Sequence, residues 1–451
     1  MARPLTIIGA MLFILGAIAS LMGVAYFLAA LLPSAGRLVQ IVILMLAFVM
    51  VIASLLTIAE RKWSAMMQDR IGPNRARIDL PILRDSALMG VPHLAADALK
   101  MLFKEDFVPK AANGFLFNLA PILAFGPVFA LFAIVPVGPS VRVLDSEVPM
   151  VIATPDFGVL FLFAIASLAV YGTSLAGWSS NNKLALLGGV RAASQMISYE
   201  VALGLSLVGM MIAFSTVQLP ELVDGQARYL WLFSPRFDLG LPAWGIFLQP
   251  VGFVLFFTAA FAETKRTPFD LPEGDSEIIG YFVEYSGMKF GMFMISEFIE
   301  VVVLSAISTA IFFGGYHLPF GEGWLARRGL IANHPWILGV ILSTVFWIKV
   351  VVLCWLQLAI RWTFPRFRYD QVQALGWKML LPLGLLNVFI SGALVLWDPS
   401  LRALAVVGLV EIGIVAALTV RGEGHPSKID SPAGSAPSVP ALTGASTTGH
   451  D

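Results

Sequence analysis

The pattern of apolar and polar positions divides the chain into long hydrophobic runs separated by charged loops. Runs suited to crossing a bilayer fall at about 5–32, 38–59, 115–136, 157–178, 193–216, 243–262, 291–313, 335–360, 377–397 and 401–420. A helix needs about 20 mostly apolar residues to span the hydrocarbon core, so the pattern predicts about ten transmembrane helices. The last is short and interrupted by Glu411. The first run follows a single charge at Arg3 and is longer than the apolar region of a signal peptide. It reads as a retained helix, with a cleaved signal as the alternative. Within the first long loop, the stretch from Leu94 to Lys104 has the spacing of an amphipathic surface helix. Leu94, Ala98, Met101, Leu102 and Phe103 lie mostly to one side of it, and Asp97, Lys100 and Lys104 lie away from it. An ordinary loop helix packed on the membrane protein would look the same.

Composition agrees with that reading. Hydrophobic residues make up 58% of 451 positions and charged residues only 13%, against roughly 25% charged in a soluble domain. The formal net charge is zero, which offers no basic field for nucleic acid. Cys354 is the one cysteine, so an internal disulfide is ruled out and an iron–sulfur cluster or structural zinc site has too few ligands. No metal site is expected, and any electron carriers belong to other chains. Neither a P-loop nor a dinucleotide-binding glycine pattern is present.

The loops alternate in charge. One set carries Arg61, Lys62, Arg70, Lys100, Lys104, Lys183, Lys265, Arg266, Lys289, Arg361 and Arg366 among others; the opposite set carries far fewer cations. The positive-inside rule puts the basic set in the cytoplasm and, with ten spans, both termini as well. The end of the chain, from about 422 to 451, is rich in Gly, Ser, Pro, Ala and Thr and is expected to be a disordered cytoplasmic tail.

The chemical signal lies in where charges meet apolar sequence. A charge at the bilayer centre costs roughly 2.5–3.5 kcal/mol on insertion scales. Even so, Glu200, Glu297, Glu300 and Lys349 fall in or at the edge of spans. Structural ion pairs, or side chains reaching to the interface, would explain any one of them. Their recurrence on successive spans favours a functional chain. The loop from Glu263 to Lys289 is denser still: Glu263, Asp270, Glu273, Asp275, Glu277 and Glu284 are interleaved with Phe269, Leu271, Ile278, Tyr281 and Phe282. Carboxylates that are buried close together titrate nearer neutrality, which suits proton transfer.

These loops resemble one family, the H subunit of bacterial NADH–quinone oxidoreductase (respiratory complex I) and its mitochondrial counterpart. The resemblance rests on Glu60-Arg-Lys-Trp, Gln68-Asp-Arg-Ile-Gly-Pro-Asn, Ala96-Asp-Ala-Leu-Lys, Phe103-Lys-Glu-Asp and Gly177-Trp-Ser-Ser-Asn-Asn-Lys. Further along, it is carried by Arg191 to Glu200, Ala262-Glu-Thr-Lys-Arg-Thr-Pro-Phe-Asp-Leu-Pro-Glu, Glu284-Tyr-Ser-Gly-Met-Lys-Phe and Arg368-Tyr-Asp-Gln with Gly376-Trp-Lys. It covers about Val39 to Trp397.

The resemblance implies an all-α polytopic membrane protein. Its eight-helix family core (36–400) is flanked by an extra N-terminal helix (1–35), a short C-terminal helix (401–421) and the tail (422–451). It implies a subunit of a proton-translocating enzyme in the bacterial cell (inner) membrane, not expected to be active alone. It also implies a quinone tunnel lined by Glu60, Arg61, Gln68, Arg70, Asp97 and Phe269. The implied proton relay runs through Glu200, Glu263, Glu273, Asp275, Glu277, Glu284 and Glu297, with Lys349 as a basic partner. Quinone (ubiquinone or menaquinone) would be the substrate, and no cofactor would sit on this chain. FMN, NADH and iron–sulfur clusters would belong to peripheral-arm partners, with antiporter-like and small subunits in the membrane arm.

Four departures bear on the relay. The shorter Asp275 stands in the acidic cluster, and Lys265 replaces a commonly neutral Asn or Ala. Phe282 stands where relatives often have His, and Ser167 where some have a glutamate. The relay is therefore expected to be thinner there, or filled by water. Rival readings are the homologous subunit of a membrane-bound hydrogenase, a related complex fed by ferredoxin, and a stand-alone transporter. The last normally shows two matching halves with broken helices, and no such halves are seen in the sequence.

Overall fold

A computed structural model describes residues 4–31, 36–76, 90–143, 146–234, 239–273, 278–327, 331 and 334–422. Each of the ten apolar runs coincides with helix over most of its described residues. The first is α1 (Pro4–Leu31). Next come α2 (Gly36–Gln40), a π-helical stretch (Ile41–Met50) and α3 (Val51–Met67), which follow one another without a break and form one long rod. The surface helix α4 (Val91–Phe103) precedes α5 (Gly114–Phe132), α6 (Gly158–Ser179) and α7 (Lys183–Phe214). After a short α8 (Leu219–Gly225), α9 (Gly245–Leu248) and α10 (Pro250–Glu263) lead to α11 (Gly287–Phe312). The chain continues through α12 (Glu322–Ala326), α13 (Pro335–Thr363), α14 (Tyr369–Ala374), a π-helical turn (Leu375–Leu380), α15 (Leu381–Trp397) and α16 (Arg402–Gly422).

Among the described residues seven helices are long and apolar enough to cross a membrane. The run at 243–262 is a departure from a simple span. It is broken at Gln249 (φ −144°, ψ 68°), and Pro250, which lacks an N–H, starts the second piece. The 14 residues of α10 reach roughly 21 Å, short of a core about 30 Å thick.

Helix starts follow capping chemistry. The Asn113 side chain accepts from Leu116 N at 3.4 Å, and that of Asn182 from Leu184 N at 2.9 Å. The helices α5 and α6 come so close at Gly172 that an added Cβ would lie 2.4 Å from the Ala124 nitrogen. Aromatic rings fill the centre, with Phe48 stacked on Trp347 at 4.7 Å. The helix α1 is keyed into this core by buried Tyr26, whose hydroxyl donates to the Pro139 carbonyl at 3.0 Å and lies 3.2 Å from Ser343 Oγ.

Two antiparallel hairpins, not anticipated from the hydrophobic pattern, close the end of the bundle opposite the dense loops. They are β1 (Gly138–Val143) with β2 (Ser146–Met150), and β3 (Tyr229–Ser234) with β4 (Leu239–Pro242). The surface helix exists, but its apolar side chains divide. Leu94, Ala98 and Met101 face a cavity, whereas Leu99, Leu102 and Phe103 are exposed.

Candidate functional site

Five segments converge at the end of the bundle that carries the dense loops. The last turns of α3 bring Glu60 and Arg61. Helix α4 brings Asp97, and the turn after α10 brings Lys265, Arg266, Asp270 and Glu273. The first half of α11 brings Glu297 and Glu300, and the last turns of α13 bring Arg361. Between them lies a cavity of about 690 Å³. Its lining combines apolar or weakly polar residues (Met50, Ser54, Leu94, Met294, Ile295) with charged ones (Glu60, Arg61, Arg266, Asp270, Glu273, Glu297, Arg361). A second cavity of about 460 Å³ shares Glu60 and Arg61 and continues past Arg70, Asn74 and His93.

Arg266 is the centre of the charged wall. It is buried, with one terminal nitrogen 3.2 Å from Glu60 Oε2 and the other 3.0 Å from Glu297 Oε2. Its guanidinium lies 4.1 Å over the Phe298 ring. The same Glu60 oxygen also receives Arg361 at 2.7 Å. Arg366 reaches Asp270 Oδ2 at 2.6 Å, and Glu273 N donates to Asp270 Oδ1 at 3.2 Å. The planar fork of arginine can serve two carboxylates at once, which is what this wall needs. Burial, joined by the charges of Glu297 and Asp270 and opposed by Arg266 and Arg361, pushes the Glu273 carboxyl up to about 8. Burial also raises Asp270 above the usual range despite Arg366. A carboxyl that titrates near neutrality at a cavity wall can take up and release protons under working conditions.

The sequence-derived residues are placed as follows. Glu60, Arg61, Asp97, Glu273 and Glu297 line the main cavity, with Arg61 bridged to Asp97 at 2.5 Å. Arg70 lines the outer cavity and donates to Gln68 Oε1 at 2.7 Å; Gln68 itself is exposed at the end of α3 and lines neither cavity. Phe269 is buried behind the wall, packed among Tyr199, Phe261 and Phe367 at 5.5–6.3 Å. Glu263 is buried at the end of α10, with Glu300, Glu200 and Lys265 as its charged neighbours. Glu200 accepts a hydrogen bond from Ser167, so the hydroxyl at that departure from the family pattern still contacts the acid. Glu284 accepts from Asn182 Nδ2 at 2.7 Å. Asp275 and Glu277 lie outside the described residues. Phe282 packs between Tyr281 and Phe290.

Lys349 stands at the other end of α11 from Glu297. Its ammonium donates to the carbonyls of Phe313, Gly315 and His317 at 2.6–2.9 Å and lies 4.3 Å from the Trp244 ring. Three carbonyls use all three of its protons, and they lie just past a helix C-terminus, where a cation is favoured.

Arg266, Arg361, Lys265 and Glu300 belong to the charged cluster but stand outside the tunnel and relay that the resemblance implies. Arg361 reads in the sequence only as one more cytoplasmic cation at the end of a span. The pairing of Lys265 with Glu300 joins residues 35 apart, and no linear pattern announces it.

Comparison with known proteins agrees with this architecture. The family model described as NADH dehydrogenase matches residues 39–392. The chain is 40% identical over 348 residues to an H subunit of NADH-quinone oxidoreductase from Cytophaga hutchinsonii, covering 77% of this chain and 93% of that one. It is 40% identical over 362 residues to the H subunit of the same enzyme from Bdellovibrio bacteriovorus, covering 76% and 91%. It is 38% identical over 358 residues to an H subunit from Rhizobium meliloti, covering 79% and 97%. With seven bilayer-length helices and these relatives, the chain belongs to the H-subunit family of NADH-quinone oxidoreductase, the multi-pass membrane subunits of that respiratory enzyme complex.

Proposed function

We propose that this chain forms much of the quinone tunnel of its complex and an acidic relay that couples quinone reduction to proton translocation in the membrane arm. The observation that carries the reading is the cavity of about 690 Å³ with its mixed apolar and charged lining. Its apolar lining residues suit an isoprenoid tail, and its charged ones suit a quinone head with two carbonyl oxygens. Reduction of quinone to quinol consumes two electrons and two protons. The electrons would come from an iron–sulfur cluster on a neighbouring peripheral-arm subunit, with FMN and NADH further upstream on other partners. Antiporter-like and small membrane subunits would take up the coupling.

In this reading Arg61 and Asp97 guard the entrance with Arg70, and Glu60, Glu273 and Glu297 form the first acids of the relay. Glu263 and Glu200 carry it inward, with Asp275, Glu277 and Glu284 in or beside the same loop. The positive-inside rule applied to the basic loops supports a cytoplasmic position for this end, and in this reading the chain lies in the bacterial inner membrane with both termini cytoplasmic. The segments 1–35 and 401–421, which carry α1 and α16, flank the quinone-linked core.

The test is made in the assembled complex in native membranes. Removing the Arg61 guanidinium (Arg61→Ala) is expected to raise the apparent KM for quinone about tenfold, with kcat little changed, as for loss of binding that is uniform along the reaction. Glu263→Gln is expected to depress quinone reduction and proton translocation together. An unchanged KM in the first variant, with wild-type turnover and pumping in the second, would overturn the reading.

A further inference from the structure

The turn after α10 is held in a conformation that its sequence does not favour. Lys265 has φ +56°, in the left-handed region that suits glycine. The turn persists because buried Gln195 clamps both of its ends: its Nε2 donates to the Ala262 carbonyl at 2.5 Å and to the Phe269 carbonyl at 2.7 Å. That geometry delivers the Lys265 ammonium to Glu300 Oε2 at 3.2 Å, and a second contact runs to the Glu263 carbonyl at 3.3 Å. Both members of the ion pair are buried. Lys265 also lines the large cavity, while Glu300 does not. Arg266 and Arg361 are occupied by Glu60 and Glu297 on the cavity wall. Lys349 is committed to carbonyls at the far end of α11. Among the described residues Lys265 is thus the cation that reaches from the cavity to the inner acids, at a position where the family resemblance leads one to expect a neutral residue.

We propose that Lys265 is the basic junction of the relay in this chain, a positioning residue whose ammonium couples charge in the cavity to the protonation of Glu300 and Glu263. The inference rests on the proposed quinone function of the cavity. When quinone that has taken up electrons from the partner cluster occupies the cavity, its negative charge lies beside Lys265. The ammonium is drawn towards it and its hold on Glu300 loosens. A carboxylate released from its counter-cation in a buried site gains affinity for a proton, so Glu300 becomes an acceptor for the acids behind it. Lys265 stays an ammonium throughout. The two protons that complete quinol formation come from the relay acids, which refill from the cytoplasm; the proton taken up by Glu300 passes on towards the membrane arm, and the ion pair re-forms when neutral quinol leaves.

A double-mutant cycle in the assembled complex in membrane vesicles tests this, with quinone reduction and proton translocation as readouts and Arg61→Ala run alongside. Lys265→Met and Glu300→Gln are each expected to lower kcat about tenfold with KM within about twofold, and the double variant by about the same tenfold, as for groups acting on one step. Three outcomes overturn the proposal. The first is wild-type rates in the single variants. The second is losses that multiply to about a hundredfold in the double variant, as for independent sites. The third is a double variant that regains wild-type turnover, which makes the pair purely structural. Should Lys265→Met fail to assemble, Lys265→Arg, which keeps the charge and alters its reach, takes its place in the cycle. Wild-type Lys265 variants beside a raised KM in Arg61→Ala reject the junction alone; no change in any of them rejects the cavity reading itself.

Discussion

Arg266 offers the sharpest energetic test of the charged wall. Replacing it with methionine keeps much of the side-chain volume and removes the charge. Its two carboxylates are then affected unequally. Glu60 keeps Arg361 at 2.7 Å, whereas Glu297 is left with the Tyr281 hydroxyl at 3.4 Å, a long and weak contact. Removing one partner of a buried ion pair costs about 3–5 kcal/mol because the other charge is stranded. Losing the stack on Phe298 adds about 0.5–2 kcal/mol. The buried Cys354 thiol is a natural reporter: it is the single cysteine of the chain, and it shares a small cavity of about 30 Å³ with Arg266, Glu60 and Arg361.

The assay is the rate of Cys354 alkylation by a membrane-permeable maleimide in the assembled complex, read by mass spectrometry of the peptide that carries it. When opening is rapid relative to labelling, about 3 kcal/mol corresponds to an increase of about a hundredfold in rate. The double variant Arg266→Met/Glu297→Gln removes the stranded charge and is expected to recover most of that protection. Wild-type labelling in Arg266→Met, or a double variant that labels as fast as the single, would refute the account of the wall as a balanced pair network.

Two further outcomes follow from the same geometry. The Glu273 carboxyl is raised from 4.5 to about 8, so the folded protein holds a proton there that the unfolded chain releases. Its contribution to stability is full below about 4.5 and is lost as pH rises through about 8; Glu273→Gln should flatten the pH dependence of Cys354 protection across that window, and an unchanged slope would count against it. At the α5–α6 contact, Gly172→Ala drives a methyl to 2.4 Å from the Ala124 nitrogen and should cost about 1–3 kcal/mol or more, lowering the thermal midpoint of the solubilised complex. Gly126→Ala, with nothing within 4 Å, is its neutral control, and equal midpoints for the two variants would refute the close-packing argument.

The sequence by itself determined the solvent of this protein and the elements that meet it. Runs of about 20 apolar residues have one stable solution in a bilayer, since backbone groups there must be satisfied within the segment. For that reason each of the ten runs is helical over most of its described residues. Loop motifs carried the family, and acid-rich sequence interleaved with apolar residues singled out the segment after α10, part of which lines the large cavity.

Tertiary structure decided which charge answers which. Arg266 joins Glu60, some two hundred residues earlier, to Glu297, and Lys265 meets Glu300 across 35 residues. Such pairings depend on how α3, α10, α11 and α13 pack, which no local period encodes. The two hairpins escaped the hydrophobic pattern because they are short and half-exposed. The break at Gln249 escaped because apolar content alone does not register a backbone turn before a proline. The inward-facing charge of Lys349 was legible as an anomaly in a span. Its partners were not, because they are backbone carbonyls, and every residue in the chain carries one of those.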